Sequence, residues 1–313
     1  MNNAALYPYN PPAYHSGMPA QSTQIDTNLK RIRPTAHGDL VFGGRCLIMG
    51  ILNATPDSFS DGGRYLDPEP AVRRIQEMAA EGVDLIDIGG ESTRPGAKPV
   101  SPNDQIKRVV PLIREARNRG VTVPISIDTR SAKVAETALD AGADIVNDIS
   151  AARADPAMPR LLAERDVPFV AMHMQGTPES MQESPHYDDV VAEVAAFFDE
   201  RAETLTAMGV NVTDRMFVDP GIGFGKTTSH NLMLLRAAAT FGRQWPVIVG
   251  PSRKRFLGEI LTEPDPANRL MGTAAAVAHA ALTGADMVRV HDVRAMRQVV
   301  EVCRQIVADG NAR

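Results

Sequence analysis

Ile125-Ser126-Ile127-Asp128, a helix-length segment over 131–140, the return Ala141-Gly142-Ala143, and Ile145-Val146-Asn147-Asp148 make one readable unit. Two short apolar, β-branched runs separated by a helix read as neighbouring buried parallel strands. Each run ends on polar residues, and the return between helix and second strand is short and bland. Outward from this unit the pattern repeats. Ile48-Met49-Gly50-Ile51-Leu52 ends in Asn53, and Leu85-Ile86-Asp87-Ile88 leads to Glu91-Ser92-Thr93-Arg94. Phe169-Val170-Ala171-Met172 ends in His173, and Met216-Phe217-Val218 in Asp219. Val247-Ile248-Val249 precedes Ser252-Arg253-Lys254, and Met287-Val288 runs into Arg289 and His291. Helical periodicity fills the intervals, over residues 69–81, 101–120, 131–140, 155–162, 188–208, 229–239, 269–282 and 293–308, often closed by glycine. Eight strands alternating with eight helices predict an α/β fold, a (β/α)8 TIM barrel, as one domain over residues 37–313. An open doubly wound sheet would gather its polar tips at one switch point; here all eight strands carry them, on the side where barrel enzymes place their chemistry.

Residues 39–45 read as a strand or hairpin plugging the bottom of the barrel. Residues 1–36 have a biased composition without periodicity and read as a flexible extension with no assigned function. An apolar fraction of 43% and a charged fraction of 23% suit a globular protein with a sizeable core. A net charge of -5 argues against a nucleic-acid partner, while a local basic cluster can still hold a small anion. No run approaches the ~20 apolar residues of a membrane span, and no signal-peptide pattern opens the chain. Cys46 and Cys303 have neither metal-site spacing nor a disulfide framework, as expected of thiols in the reducing cytoplasm.

The strand tips divide by chemistry. Arg94, Lys254, Arg289 and His291 form a cationic arc with Asn53 beside it, suited to phosphate. Asp128, Asn147 and Asp219 form a floor of acceptors and amides opposite. Together they suit a ligand with a hydrogen-bonding ring at one end and phosphate at the other. The long loop 53–65 carries Phe59, placed to cover a bound ligand. Gly221-Ile222-Gly223-Phe224-Gly225-Lys226-Thr227 is one residue short of a P-loop, and reads instead as a glycine turn that brings backbone near a flat ligand, with Phe224 on its wall. His173 and His186 lack zinc-site spacing. A magnesium ion carried in on phosphate fits better, with Asn53 offering one oxygen.

Asn53-Ala54-Thr55-Pro56-Asp57-Ser58-Phe59, Glu91-Ser92-Thr93-Arg94-Pro95-Gly96, Asp219-Pro220-Gly221-Ile222-Gly223-Phe224-Gly225-Lys226 and Ser252-Arg253-Lys254, with the shorter motifs at 127–129, 147–148, 172–176 and 289–292, resemble the dihydropteroate synthases. The similarity runs in the family's order from about residue 45 to 308. The resemblance implies condensation of 6-hydroxymethyl-7,8-dihydropterin diphosphate with p-aminobenzoate, releasing pyrophosphate and giving 7,8-dihydropteroate for folate synthesis. It implies a pterin site of Asp128, Asn147, Met172, Asp219, Lys254 and Arg289. It places the diphosphate on Asn53, Arg94, Arg289 and His291, with Mg2+ on Asn53, and these residues with Lys254 make up the catalytic set. Thr93, Phe59, Pro95, Phe224 and Ser252 would receive p-aminobenzoate, where sulfonamides compete. It also implies a homodimer, for which the alanine-rich segment 269–282 and the last helix are candidates. A methyltetrahydrofolate-binding methyltransferase, which needs no diphosphate site, and a pterin-binding paralogue without synthase activity are the alternatives. Replacing Arg94 or Arg289 is expected to abolish turnover with the fold intact.

Overall fold

The computed structural model describes residues 31–54, 68–92 and 99–310. Phe59, Thr93, Arg94 and Pro95 lie outside the described residues. The strands are β1 (Arg31–Arg33), β2 (Leu40–Phe42), β3 (Leu47–Asn53), β4 (Leu85–Gly89), β5 (Ile125–Asp128), β6 (Ile145–Asp148), β7 (Phe169–Met172), β8 (Met216–Asp219), β9 (Ile248–Val249) and β10 (Met287–Val290). The eight principal helices are α1 (Pro68–Ala80), α2 (Pro102–Asn118), α3 (Ala132–Asp140), α4 (Met158–Arg165), α5 (Val190–Ala207), α7 (Thr228–Arg236), α10 (Leu270–Leu282) and α11 (Val293–Gly310). The short helices α6 (Val212–Arg215), α8 (Ala238–Phe241) and α9 (Arg255–Leu261) add to the expected set. β8-β7-β6-β5-β4-β3-β10-β9 pair in parallel, and a bridge between Val218 and Val247 joins the two ends of the sheet. The barrel expected from the strand–helix alternation is the fold.

Period-two alternation sorts each strand between two environments. Ile48, Leu52, Ile86, Ile88, Ile127, Val146, Ala171, Val218 and Val288 belong to the apolar layer that includes the surrounding helices. Leu47, Met49, Leu85, Ile145, Val170, Phe217, Ile248 and Met287 fill the lower interior together with Leu40 and Phe42 of β2. Advancing two residues along a strand changes the chemistry. Leu85 gives way to Asp87, Ile145 to Asn147, Phe217 to Asp219 and Met287 to Arg289. The interior is therefore a sealed apolar base under a polar mouth.

The base is closed by the antiparallel pair β1–β2, with the Phe42 ring edge-on to Phe217 at 5.6 Å. The hairpin begins within residues 1–36, so the flexible extension expected there does not reach residue 36. Its charged residues hide the strand from a composition reading, because their partners are far away in sequence. Arg31 donates to both Asp286 oxygens at 2.9 and 3.0 Å and to the Gly242 carbonyl, while buried Arg33 donates to the Thr213 carbonyl at 3.1 Å. Phe42→Ala leaves a void between layers and is expected to cost about 3–5 kcal/mol in urea unfolding. Ligand affinity at the mouth should be unchanged.

Candidate active site

The centre of the mouth is Asp87, which has no solvent-exposed surface. It accepts hydrogen bonds from Ser126 Oγ at 2.6 Å, from Asn147 Nδ2 at 3.2 and 3.1 Å, and from Arg289 Nε at 2.7 Å. Arg289 Nη2 donates to Asp128 Oδ2 at 2.8 Å. Cations and acceptors are thus not on opposite sides, as their positions in sequence suggested: the guanidinium reaches across β3 and β4 to join two carboxylates. Asp87 is not among the strand tips that the sequence singles out. Its signal was available, because an acid inside Leu85-Ile86-Asp87-Ile88 has inward parity and sits in register with Ser126. Gly89 lies beside Asp128 in the next register position, where a Cβ would approach the Asp128 Cβ to 3.3 Å.

Ionisation at this mouth is set by burial and by sharing of charge. Burial, then the nearby Asp87 charge, pushes the Asp128 carboxyl well above the ordinary carboxylate range, with Arg289 pulling the other way. Burial alone would lower the Arg289 pKa, but Asp87 and Asp128 more than offset it and keep the guanidinium charged. Asp219 is raised by burial, partly countered by Lys254 and by the Gly221 N–H it accepts at 2.7 Å. Burial lowers Lys254 to about 8, with Asp219 opposing that shift. Lys254 Nζ donates to the Ile222 carbonyl and stands 4.7 Å above the Phe224 ring.

Around this centre lie the remaining candidates. Met172 packs with Ile149, Met174 and Met181, and Phe224 lies against that cluster, forming one apolar wall. Ser252 Oγ and His291 Nδ1 are 3.0 Å apart, which couples two side chains expected in separate subsites. Asn53 at the tip of β3 and His291 line an open cleft of about 680 Å3 that continues outward past Arg74, Arg253 and Arg294. On the other side, Glu91 accepts the Val100 N–H at 2.9 Å and an Arg130 N–H at 3.2 Å, so one carboxylate ties both flanks of residues 93–98. Among the described residues no group of three or more His, Cys, Asp or Glu could hold an ion, and the buried His173 ring instead meets Lys226 Nζ at 3.0 Å. Its imidazole is lowered to about 3 by burial and by the adjacent Lys226 and Arg153 charges.

A polar barrel mouth with a buried Asp–Arg–Asp bridge, an inward amide and a lysine stacked on an aromatic ring can grip a flat, nitrogen-rich ring. The family model for pterin-binding enzymes matches residues 49–291, and the chain belongs to that family. Within it, the similarity is to the dihydropteroate synthases. That of Mycobacterium leprae is 47% identical over 262 residues, covering 82% of this chain and 91% of its own. The solved Xanthomonas albilineans dihydropteroate synthase with 4-aminobenzoic acid is 40% identical, with a TM-score of 0.83 over 90% of this chain and 99% of its own. The Burkholderia cenocepacia enzyme, complexed with 7,8-dihydropteroate, is 40% identical, with a TM-score of 0.81 over 91% of this chain and 99% of its own.

Proposed function

We infer that this chain is a dihydropteroate synthase, condensing 6-hydroxymethyl-7,8-dihydropterin diphosphate with p-aminobenzoate. The observation that carries the reading is the Asp87–Arg289–Asp128 bridge beneath a mouth that also holds Asn147, Asp219 and Lys254. Asp219 offers a carboxylate to the aminopyrimidinone edge, the bidentate pairing that suits two parallel N–H donors. Asp128 and Asn147 complete the ring contacts, Met172 packs beneath, and Lys254 donates to the ring from the Phe224 side. Asn53, Arg289 and His291, with Arg94, hold the diphosphate. Phe224 and Ser252 line the arylamine pocket, a role that the resemblance extends to Phe59, Thr93 and Pro95 outside the described residues.

In the reaction the bond from the pterin methylene carbon to the diphosphate oxygen breaks, and its electron pair leaves with the diphosphate. The amine lone pair of p-aminobenzoate forms the new C–N bond, and the amine proton passes to solvent. The cationic groups stabilise charge growing on the leaving oxygen, while the buried carboxylates favour positive charge developing on the pterin. The Asn53 amide oxygen suits Mg2+ that arrives on the diphosphate and keeps most of its water, because such an ion needs few protein ligands. Bound there, it would add Lewis-acid stabilisation of the leaving group. Turnover assayed with both substrates and Mg2+ tests the reading; absence of dihydropteroate would overturn it.

No described helix is long and apolar enough to cross a membrane. The buried free thiols Cys46 and Cys303 fit a reducing cytoplasm. We also infer a homodimer. The helices α9, α10 and α11 pack side by side and expose Ile260, Met271, Val302 and Ile306, with Met271 77% exposed. Met271→Glu combined with Val302→Glu should yield a folded monomer by sedimentation; an unchanged sedimentation coefficient in wild type and variant would remove this interface.

A further inference from the structure

Lys226 is 2% exposed, yet its three hydrogen-bond acceptors are all uncharged. They are His173 Nδ1 at 3.0 Å, the His173 carbonyl at 3.4 Å and the Phe224 carbonyl at 2.9 Å. An ammonium buried among neutral acceptors is unfavourable compared with a hydrocarbon of the same length. Burial lowers this lysine to about 7, opposed by Asp219. What the ammonium adds over a hydrocarbon is direction: it ties the 221–225 turn to the chain leaving β7.

The turn lies flat on that chain. Gly221 and Gly225 have φ of +69° and +63°, and a Cβ on either would stand 1.9 Å from the His173 carbonyl oxygen or 2.7 Å from that of Gln175. The opposite face of the turn holds the ligand-facing groups. Its Ile222 carbonyl accepts from Lys254 Nζ, its Phe224 ring lies under the same ammonium, and its first N–H is fixed by Asp219. The His173 ring is itself set in place, edge-on to Phe197 at 4.9 Å.

We propose that Lys226 is a positioning residue, stapling the glycine turn to the exit of β7 and thereby setting Phe224 for the arylamine. The staple works behind the turn and touches neither substrate, and it rests on the synthase reading above. Its loss should therefore disturb the second substrate more than the pterin, whose partners Asp128, Asn147, Asp219 and Arg289 are fixed on strands and whose Lys254 stands at the start of α9, outside the turn.

The test uses the full chain with Mg2+ and both substrates, comparing wild type, Lys226→Met and Lys226→Gln. Dihydropteroate formation by wild type checks the synthase reading independently of the variants. Lys226→Met should raise the p-aminobenzoate KM roughly tenfold while the pterin diphosphate KM stays within about twofold. Thermal unfolding of this variant should be no earlier than that of wild type. Lys226→Gln, which can still donate to one carbonyl, should fall between the two. The proposal is overturned if both KM values rise in parallel, if neither changes in either variant, or if both variants fail to fold, since each makes Lys226 a packing residue only.

Discussion

Arg289→Met is expected to abolish turnover and also to weaken the fold, by about 3–5 kcal/mol in urea unfolding at neutral pH. Both effects follow from one bridge. The guanidinium donates through Nε to Asp87 and through Nη2 to Asp128, so its removal leaves two buried carboxylates facing each other without a cation. The bridge thus adds a cost in stability to the loss of turnover expected from Arg289 as a rim cation. Lysine is no substitute, because one ammonium cannot reproduce the planar fork that addresses both acids. The pH dependence separates lost charge from lost packing. Asp128 is already raised above its unfolded value by burial and Asp87, and losing Arg289 raises it further. A carboxyl whose folded pKa is raised takes up a proton in the folded state first, so stability is regained as pH falls through the folded pKa. The deficit of Arg289→Met should therefore shrink between about pH 8 and pH 5. A deficit independent of pH would show that packing alone had been lost.

Asp219→Asn is expected to weaken binding of the pterin diphosphate by about 2–4 kcal/mol in calorimetric titration. The amide can still accept the Gly221 N–H that Asp219 accepts at 2.7 Å, so the turn should keep its place. It turns an N–H2 toward ring donors, however, and leaves them unpaired. The same change acts on Lys254, whose pKa of about 8 is held up by the Asp219 charge against burial. Wild-type affinity should decline as pH rises through about 8, because the ammonium is lost. In Asp219→Asn that decline should begin at lower pH. Equal affinity in wild type and variant would remove Asp219 from the ring edge.

The sequence reveals strand tips more readily than what the tips touch. Asp128, Asn147, Asp219 and His291 were legible because a polar residue following an apolar β-branched run marks the end of a buried strand. Asp87 was overlooked although the same alternation points it inward, since it sits within its run rather than after it. The reach of Arg289 to both acids was not legible, because the direction of a long side chain across a barrel depends on neighbours drawn from four strands. In sequence Lys226 reads as the lysine of a P-loop pattern one residue short, and its burial comes from the chain leaving β7. β1 was hidden because Arg31 and Arg33 find partners at Asp286 and Thr213, far along the chain.

The β1–β2 hairpin has a practical consequence for handling the protein. Arg31 is anchored to Asp286 and Gly242, at the returns that lead into β10 and β9, so residue 31 stands at the pole away from the polar mouth. A surface tether, fluorescent domain or second enzyme joined directly to residue 31, in place of residues 1–30, would be attached at the far pole. An immobilised preparation built that way would present its catalytic rim to the bulk solution.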